Sequence, residues 1–159
     1  MTIKNGDPLP AATFKHATPE GMSELSTDTL FKSGKSVLFA VPGAFTPTCS
    51  NQHLPGFVAN MDALRAKGVE RVVCMAVNDP FVMKAWGERD GSDDIIMISD
   101  WDASFTKALG LDQDASPAGL GVRSRRFAMV IEDGIVTKLS VEEERGLNVS
   151  AAEAILEDL

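Results

Sequence analysis

Apolar positions cluster into short blocks separated by Gly, Pro, Asn and Asp, and block length distinguishes strand from helix. Ser36-Val37-Leu38-Phe39-Ala40-Val41 is almost wholly apolar and lies between Gly34 and Pro42-Gly43, which predicts a strand buried on both faces. Arg71-Val72-Val73-Cys74-Met75-Ala76-Val77 repeats the pattern, and Ile95 to Ile98 forms a third, shorter run. Between the first two, Thr46-Pro47 has the form of a helix start, with Thr as N-cap and Pro at the first helical position, where its missing N–H costs nothing. Leu54, Phe57, Val58, Met61 and Leu64 then recur at helical spacing as far as Lys67-Gly68, and Pro55 should kink that helix. Asn78-Asp79-Pro80 opens a second helix by the same device, carrying Phe81, Val82, Ala85 and Trp86. A helical stretch around Phe105 to Leu109 follows.

Nearer the C-terminus, Phe127 to Ile131 and Ile135 to Leu139 flank Glu132-Asp133-Gly134, the signature of a β-hairpin. Ser150-Ala151-Ala152-Glu153 reads as a capping box for a last helix with Ile155 and Leu156 facing inward. Residues up to about Phe31 read as an irregular lead-in with turns at Asn5-Gly6-Asp7-Pro8 and Pro19-Glu20-Gly21. The order β-α-β-α-β, then a hairpin and a helix, predicts an α/β protein with a thioredoxin-like fold. Its mixed central sheet, flanked by helices, would be parallel first and antiparallel at the end. The chain has 159 residues and no repeat or long linker, so one domain over 1–159 is expected.

Charge narrows the function classes. Lys plus Arg number 15 against 23 Asp plus Glu, a net charge of −8, and binding to nucleic acid or anionic lipid would need a basic face. No apolar run approaches the roughly 20 residues of a membrane helix. Two cysteines, Cys49 and Cys74, are too few for a disulfide framework, and two histidines, His16 and His53, leave little for a metal site. Lys4 is followed by no apolar signal core, so a reducing, cytoplasmic location is expected.

Cys49 falls at the third residue of the helix opened by Thr46-Pro47, at the carboxyl end of a buried strand. First-turn amides favour negative charge, so a thiol there ionises more readily, and the thiolate is the reactive species. The plainer alternative is a small buried apolar residue. Position favours chemistry.

The string Pro42-Gly43-Ala44-Phe45-Thr46-Pro47-Thr48-Cys49 matches the pattern Pro-x-x-x-Thr-x-x-Cys of the peroxiredoxins. VPGAFTPTCS followed by HLPGF, with CMAVNDPFVMKAW and RRFAMVIEDGIV, resembles the peroxiredoxin-5 (type II) subfamily from roughly Asp7 to the end. The resemblance implies a thiol peroxidase acting on hydrogen peroxide and alkyl hydroperoxides, with no metal or organic cofactor expected because the sulfur does the redox chemistry and a thiol supplies the electrons. Cys49 would be the attacking thiol, Thr46 the hydroxyl that orients the peroxide, Pro42 the ring that shields the thiolate, and Arg126 the active-site arginine. On the residues alone, Arg126 reads more simply as part of a solvated cluster with Arg123 and Arg125; the resemblance reverses that. Thr46 could equally be only a cap.

Cys74 lies in an apolar strand and reads as a structural thiol, with a resolving role as the alternative. Some members of the subfamily carry a resolving cysteine after a Gly-Leu pair, whereas Gly146-Leu147-Asn148-Val149 offers Val149. The resemblance therefore implies a one-cysteine cycle with glutathione or a glutaredoxin as reductant, the alternative being a two-cysteine cycle with thioredoxin. By the same resemblance Phe45, Asp79 to Phe81 and Leu120 border the site at a two-fold homodimer contact, and Trp86 belongs either there or to the core. His53, four residues after Cys49, is grouped with these pocket and dimer-contact residues; it could tune the thiolate or bind nearby backbone, with an acid–base role as the lesser alternative. Two rivals remain. A thiol–disulfide oxidoreductase would need a C-x-x-C, which the sequence lacks. A peroxide-sensing or holdase-like interaction module would react once and stop. Gly34-Lys35-Ser36 is not a P-loop, since Thr29 stands where a Gly is required. Asn148-Val149-Ser150, a sequon by pattern, and Glu142-Glu143-Glu144 read as a turn and as solvated surface.

Overall fold

The computed structural model describes residues 2–159. An antiparallel hairpin, β1 (Thr13–Thr18) and β2 (Gly21–Ser26), opens the chain and leads through a short helix, α1 (Thr27–Phe31), into β3 (Lys35–Ala40). A π-helical segment (Cys49–His53) runs on into α2 (Leu54–Ala59) and α3 (Met61–Ala66), then come β4 (Val69–Ala76), α4 (Pro80–Asp90), β5 (Ile95–Ser99) and α5 (Ser104–Leu109). A small antiparallel pair, β6 (Asp112–Asp114) and β7 (Val122–Ser124), precedes the hairpin β8 (Phe127–Glu132) and β9 (Ile135–Val141), and α6 (Ala152–Glu157) closes the chain. Seven strands form one sheet in the order β2-β1-β5-β4-β3-β8-β9. Its centre, β3, β4 and β5, is parallel, as expected, and β8 and β9 are antiparallel.

Strand periodicity explains why the central runs are apolar throughout. Val37 and Phe39 of β3, Cys74 and Ala76 of β4, and Ala128 and Val130 of β8 face a core completed by Leu54, Phe57, Leu64 and Trp86. Leu38, Ala40, Val73, Met75, Phe127 and Met129 face the other, with Phe14, Phe31, Phe105 and Leu109. Both faces are covered, so neither can afford a polar alternation.

Three expectations need correction. The lead-in is not irregular: it holds a hairpin and a helix, which the pattern concealed because of the hairpin's residues only Phe14 is buried. The turn at Pro19-Glu20-Gly21 joins its two strands, with Gly21 at φ +126. The capping box does not form. The last helix is capped at Ala151 without a side-chain bond, because the Ser150 hydroxyl donates instead to Glu142 Oε2 at 2.7 Å. Asn60 interrupts the long helix between α2 and α3, its amide donating back to the Gly56 carbonyl at 2.7 Å. By contrast, Asp79 caps α4 as expected, accepting from the Val82 N–H at 2.9 Å.

Candidate active site

Beyond the end of β3 the chain turns through Pro42 to Thr46 and enters the helix at Pro47. Backbone and side chains pin this loop from three sides. Ala44 N–H donates to Asn78 Oδ1 at 2.9 Å, Arg123 Nη1 donates to the Pro42 carbonyl at 3.1 Å, and the Thr46 hydroxyl donates to the Gly43 carbonyl at 2.6 Å. A Cβ at Gly43 would lie 2.8 Å from Arg123 Nη1, so a side chain there would have to displace the guanidinium that holds the Pro42 carbonyl. Phe45 adopts φ +65, a conformation that side chains seldom accept, and its ring lies under the Arg89 guanidinium at 4.7 Å. Thr46 is thus a loop-closing donor, not the side-chain cap expected, and its oxygen keeps lone pairs for another partner.

Cys49 is buried in the first turn of the helix, which changes here from α to π: the Leu54 N–H reaches back five residues to the Cys49 carbonyl. Pro55 supplies a physical reason. Its ring would press on the carbonyl four residues before it in a tight α-turn, and a wider turn relieves that contact. The expected kink is therefore a widening of the ladder. Next to Cys49, the Ser50 hydroxyl accepts from the buried Trp86 indole at 2.8 Å, which places Trp86 in the core.

Arg126 arrives from across the sheet. Pairing of Ala40 with Phe127 sets Arg126 beside the end of β3, and the side chain turns inward. Its Nη2 donates to Cys49 Sγ at 3.1 Å and its Nη1 donates to His53 Nδ1 at 2.8 Å. The solvated cluster read from the residues alone does not form: Arg123 holds the loop, and Arg125 donates to the Glu142 carbonyl at 3.3 Å. His53 is fully buried, so it lines neither the cavity mouth nor an exposed contact surface. Its Nε2 donates to the Ser150 carbonyl at 2.9 Å. Burial, then the Arg126 charge, lower its pKa from 6.5 to about 3, leaving a neutral imidazole at pH 7.

Cys74 lies on the same sheet face as Cys49, wholly buried, and burial followed by the nearness of Cys49 pushes its thiol pKa well up. Glu142 is buried rather than solvated as expected; its Oε2 accepts from the backbone of Asn148 and Ser150 as well as the Ser150 hydroxyl. Burial pulls its carboxyl up, but these bonds outweigh that and hold it below the ordinary value. A cavity of about 480 Å³ opens over the site, with Pro42, Thr48, Leu120, Arg125 and Arg126 in its wall. Phe45 and Phe81, 41% and 68% exposed, stand outside that wall.

The redoxin family model matches residues 4–156. Peroxiredoxin-2E-2, chloroplastic, of Oryza sativa subsp. japonica is 48% identical over 99% of this chain and 73% of its own length. The chain is a peroxiredoxin. Peroxiredoxin-2E, chloroplastic, of Arabidopsis thaliana is 43% identical over 99% of this peroxiredoxin and 70% of its own length. The crystal structure of reduced Prx3 in complex with hydrogen peroxide from Vibrio vulnificus superposes with a TM-score of 0.95 at 51% identity, covering 99% of each chain. This peroxiredoxin is accordingly a thiol-dependent peroxidase, an oxidoreductase that acts on peroxide and is returned by a thiol reductant. The expected cytoplasmic location is overturned by the plant relatives, both of which are chloroplastic. A free thiol functions in any reducing compartment, so cysteine usage never singled out the cytoplasm.

Proposed function

We propose that Cys49 is the attacking sulfur of a one-cysteine cycle. The contact of Arg126 Nη2 with Cys49 Sγ at 3.1 Å carries the reading. The guanidinium sets a fixed positive charge beside the sulfur, and as the O–O bond breaks it stands next to the path along which negative charge passes to the leaving oxygen. The thiolate attacks one peroxide oxygen, the O–O bond cleaves, and a proton completes the departing water or alcohol, leaving Cys49 sulfenic acid. A thiol then condenses with it, releasing water and forming a mixed disulfide, and a second thiol displaces Cys49 and is oxidised to a disulfide. The Thr46 hydroxyl, beside the Pro42 turn, would orient the peroxide, and the Pro42 ring would keep bulk water from the sulfur.

Glutathione, or a glutaredoxin acting with it, is the proposed reductant. The burial of Cys74 in β4 supports a structural thiol in place of a resolving one. The chain would act as a single domain, a reading supported by a family match that spans nearly all of it. Exposed Phe45 and Phe81, with Leu120 in the cavity wall, support a homodimer contact at the site's rim. Intact mass after one equivalent of hydrogen peroxide tests the cycle. A glutathione adduct on Cys49 is expected when glutathione is present; loss of two hydrogens through a Cys49–Cys74 bridge would overturn the one-cysteine step. Cys49→Ser should abolish peroxide consumption and Cys74→Ser should leave turnover within about twofold.

A further inference from the structure

We propose that His53 is a positioning residue whose neutral imidazole accepts a hydrogen bond from Arg126 and so aims the guanidinium at Cys49 Sγ. The proposal rests on Cys49 being the attacking sulfur. Arginine has long rotamer freedom and only donors, so a guanidinium must be aimed by acceptors around it. Here the usual aiming group is missing: among the described residues, no carboxylate lies within ion-pair distance of Arg126. A carboxylate at that place would orient the guanidinium and also cancel its field on the sulfur. An unprotonated ring nitrogen orients it and leaves the charge intact.

The tautomer follows from the partners. Arg126 Nη1 can only donate, so Nδ1, 2.8 Å away, must be bare; the Ser150 carbonyl can only accept, so Nε2, at 2.9 Å, must carry the proton. The ring packs against Phe39 and Phe57 in tilted contacts, with centroids at 5.0 and 5.6 Å and interplanar angles of 46° and 44°. Its backing is equally fixed, because Glu142 Oε2 accepts from Ser150 N–H at 2.8 Å and Asn148 N–H at 2.7 Å, while the Glu142 N–H donates to the Arg126 carbonyl at 3.0 Å. The titratable groups around the imidazole are Cys49 on its own segment, Arg126 before β8 and Glu142 after β9. The lowered pKa agrees with this arrangement, since a protonated ring would face the guanidinium with a second N–H.

Two substitutions separate aiming from simple support. In His53→Asn the amide oxygen takes the place of Nδ1 and keeps the acceptor for Arg126; His53→Gln reaches the Nε2 position and keeps only the Ser150 contact. The readouts are the second-order rate constant with hydrogen peroxide and the pH midpoint of Cys49 alkylation by iodoacetamide. We expect His53→Gln to slow the reaction about tenfold or more and raise the midpoint, and His53→Asn to stay within about threefold. A His53→Gln variant with unchanged rate and midpoint, or a His53→Asn variant as slow as His53→Gln, would overturn the proposal. Imidazole nitrogen NMR on the unaltered protein, with His16 assigned by His16→Asn, decides the matter independently of folding or activity. A neutral ring with bare Nδ1 at pH 7 supports the proposal, and a protonated ring or an Nδ1–H tautomer overturns it. Peroxide consumption that survives Cys49→Ser would instead sink the underlying reading of Cys49, so the two failures are distinguishable.

Discussion

Arg126 meets the sulfur through one N–H and its orienting partner through another, and losing it removes charge and geometry together. Arg126→Ala should therefore lower the second-order rate constant with peroxide by about 100-fold or more, measured by stopped-flow. Arg126→Lys should recover less than about tenfold of that, because one ammonium cannot serve two partners set apart by a planar fork. Cys49 was legible from Thr46-Pro47 and the strand before it. Arg126 was legible only through the family resemblance, since on the residues alone three arginines in four residues look alike until strand pairing turns one inward. Glu142 was misread for a related reason: a run of three glutamates suggests solvent, yet backbone N–H donors six and eight residues ahead are what permit burying the first.

Among the elements, β3, β4, β5 and the α4 start were legible because burial on both faces and cap-plus-proline chemistry are written in adjacent residues. Asp79→Ala should remove one side-chain cap and cost about 1 kcal/mol, read as a lower urea midpoint with unchanged slope. The β1–β2 hairpin was not legible, since its stability comes from pairing β1 to β5 and packing Phe14 on Phe105, a contact between residues ninety-one apart. The π-turn was half legible. Pro55 announced a disturbance in the helix, but whether a proline bends the ladder or widens it depends on tertiary packing, which adjacent residues do not reveal.

At the scale of the whole molecule, stability must depend on pH through the one imidazole folded away from water. The His53 pKa is about 3 in the fold and near 6.5 in the unfolded chain, so between those values the unfolded state binds the extra proton. Stability should fall as pH drops from about 6.5 toward 3, by up to about 1.4 kcal/mol per unit from this group. Glu142, held below its ordinary value, adds loss at the acid end of that window. Urea denaturation at pH 6.5, 5.5 and 4.5 checks this, and His53→Asn should flatten the dependence by close to one proton. The same fold carries its own optical gauge of the site. Trp86 sits in the core with its indole bonded to Ser50, the residue after Cys49, whereas Trp101 is 57% exposed. An aqueous quencher such as iodide darkens the second indole and leaves the first shining, so what remains of the emission reports, without any label, on the turn that holds the sulfur.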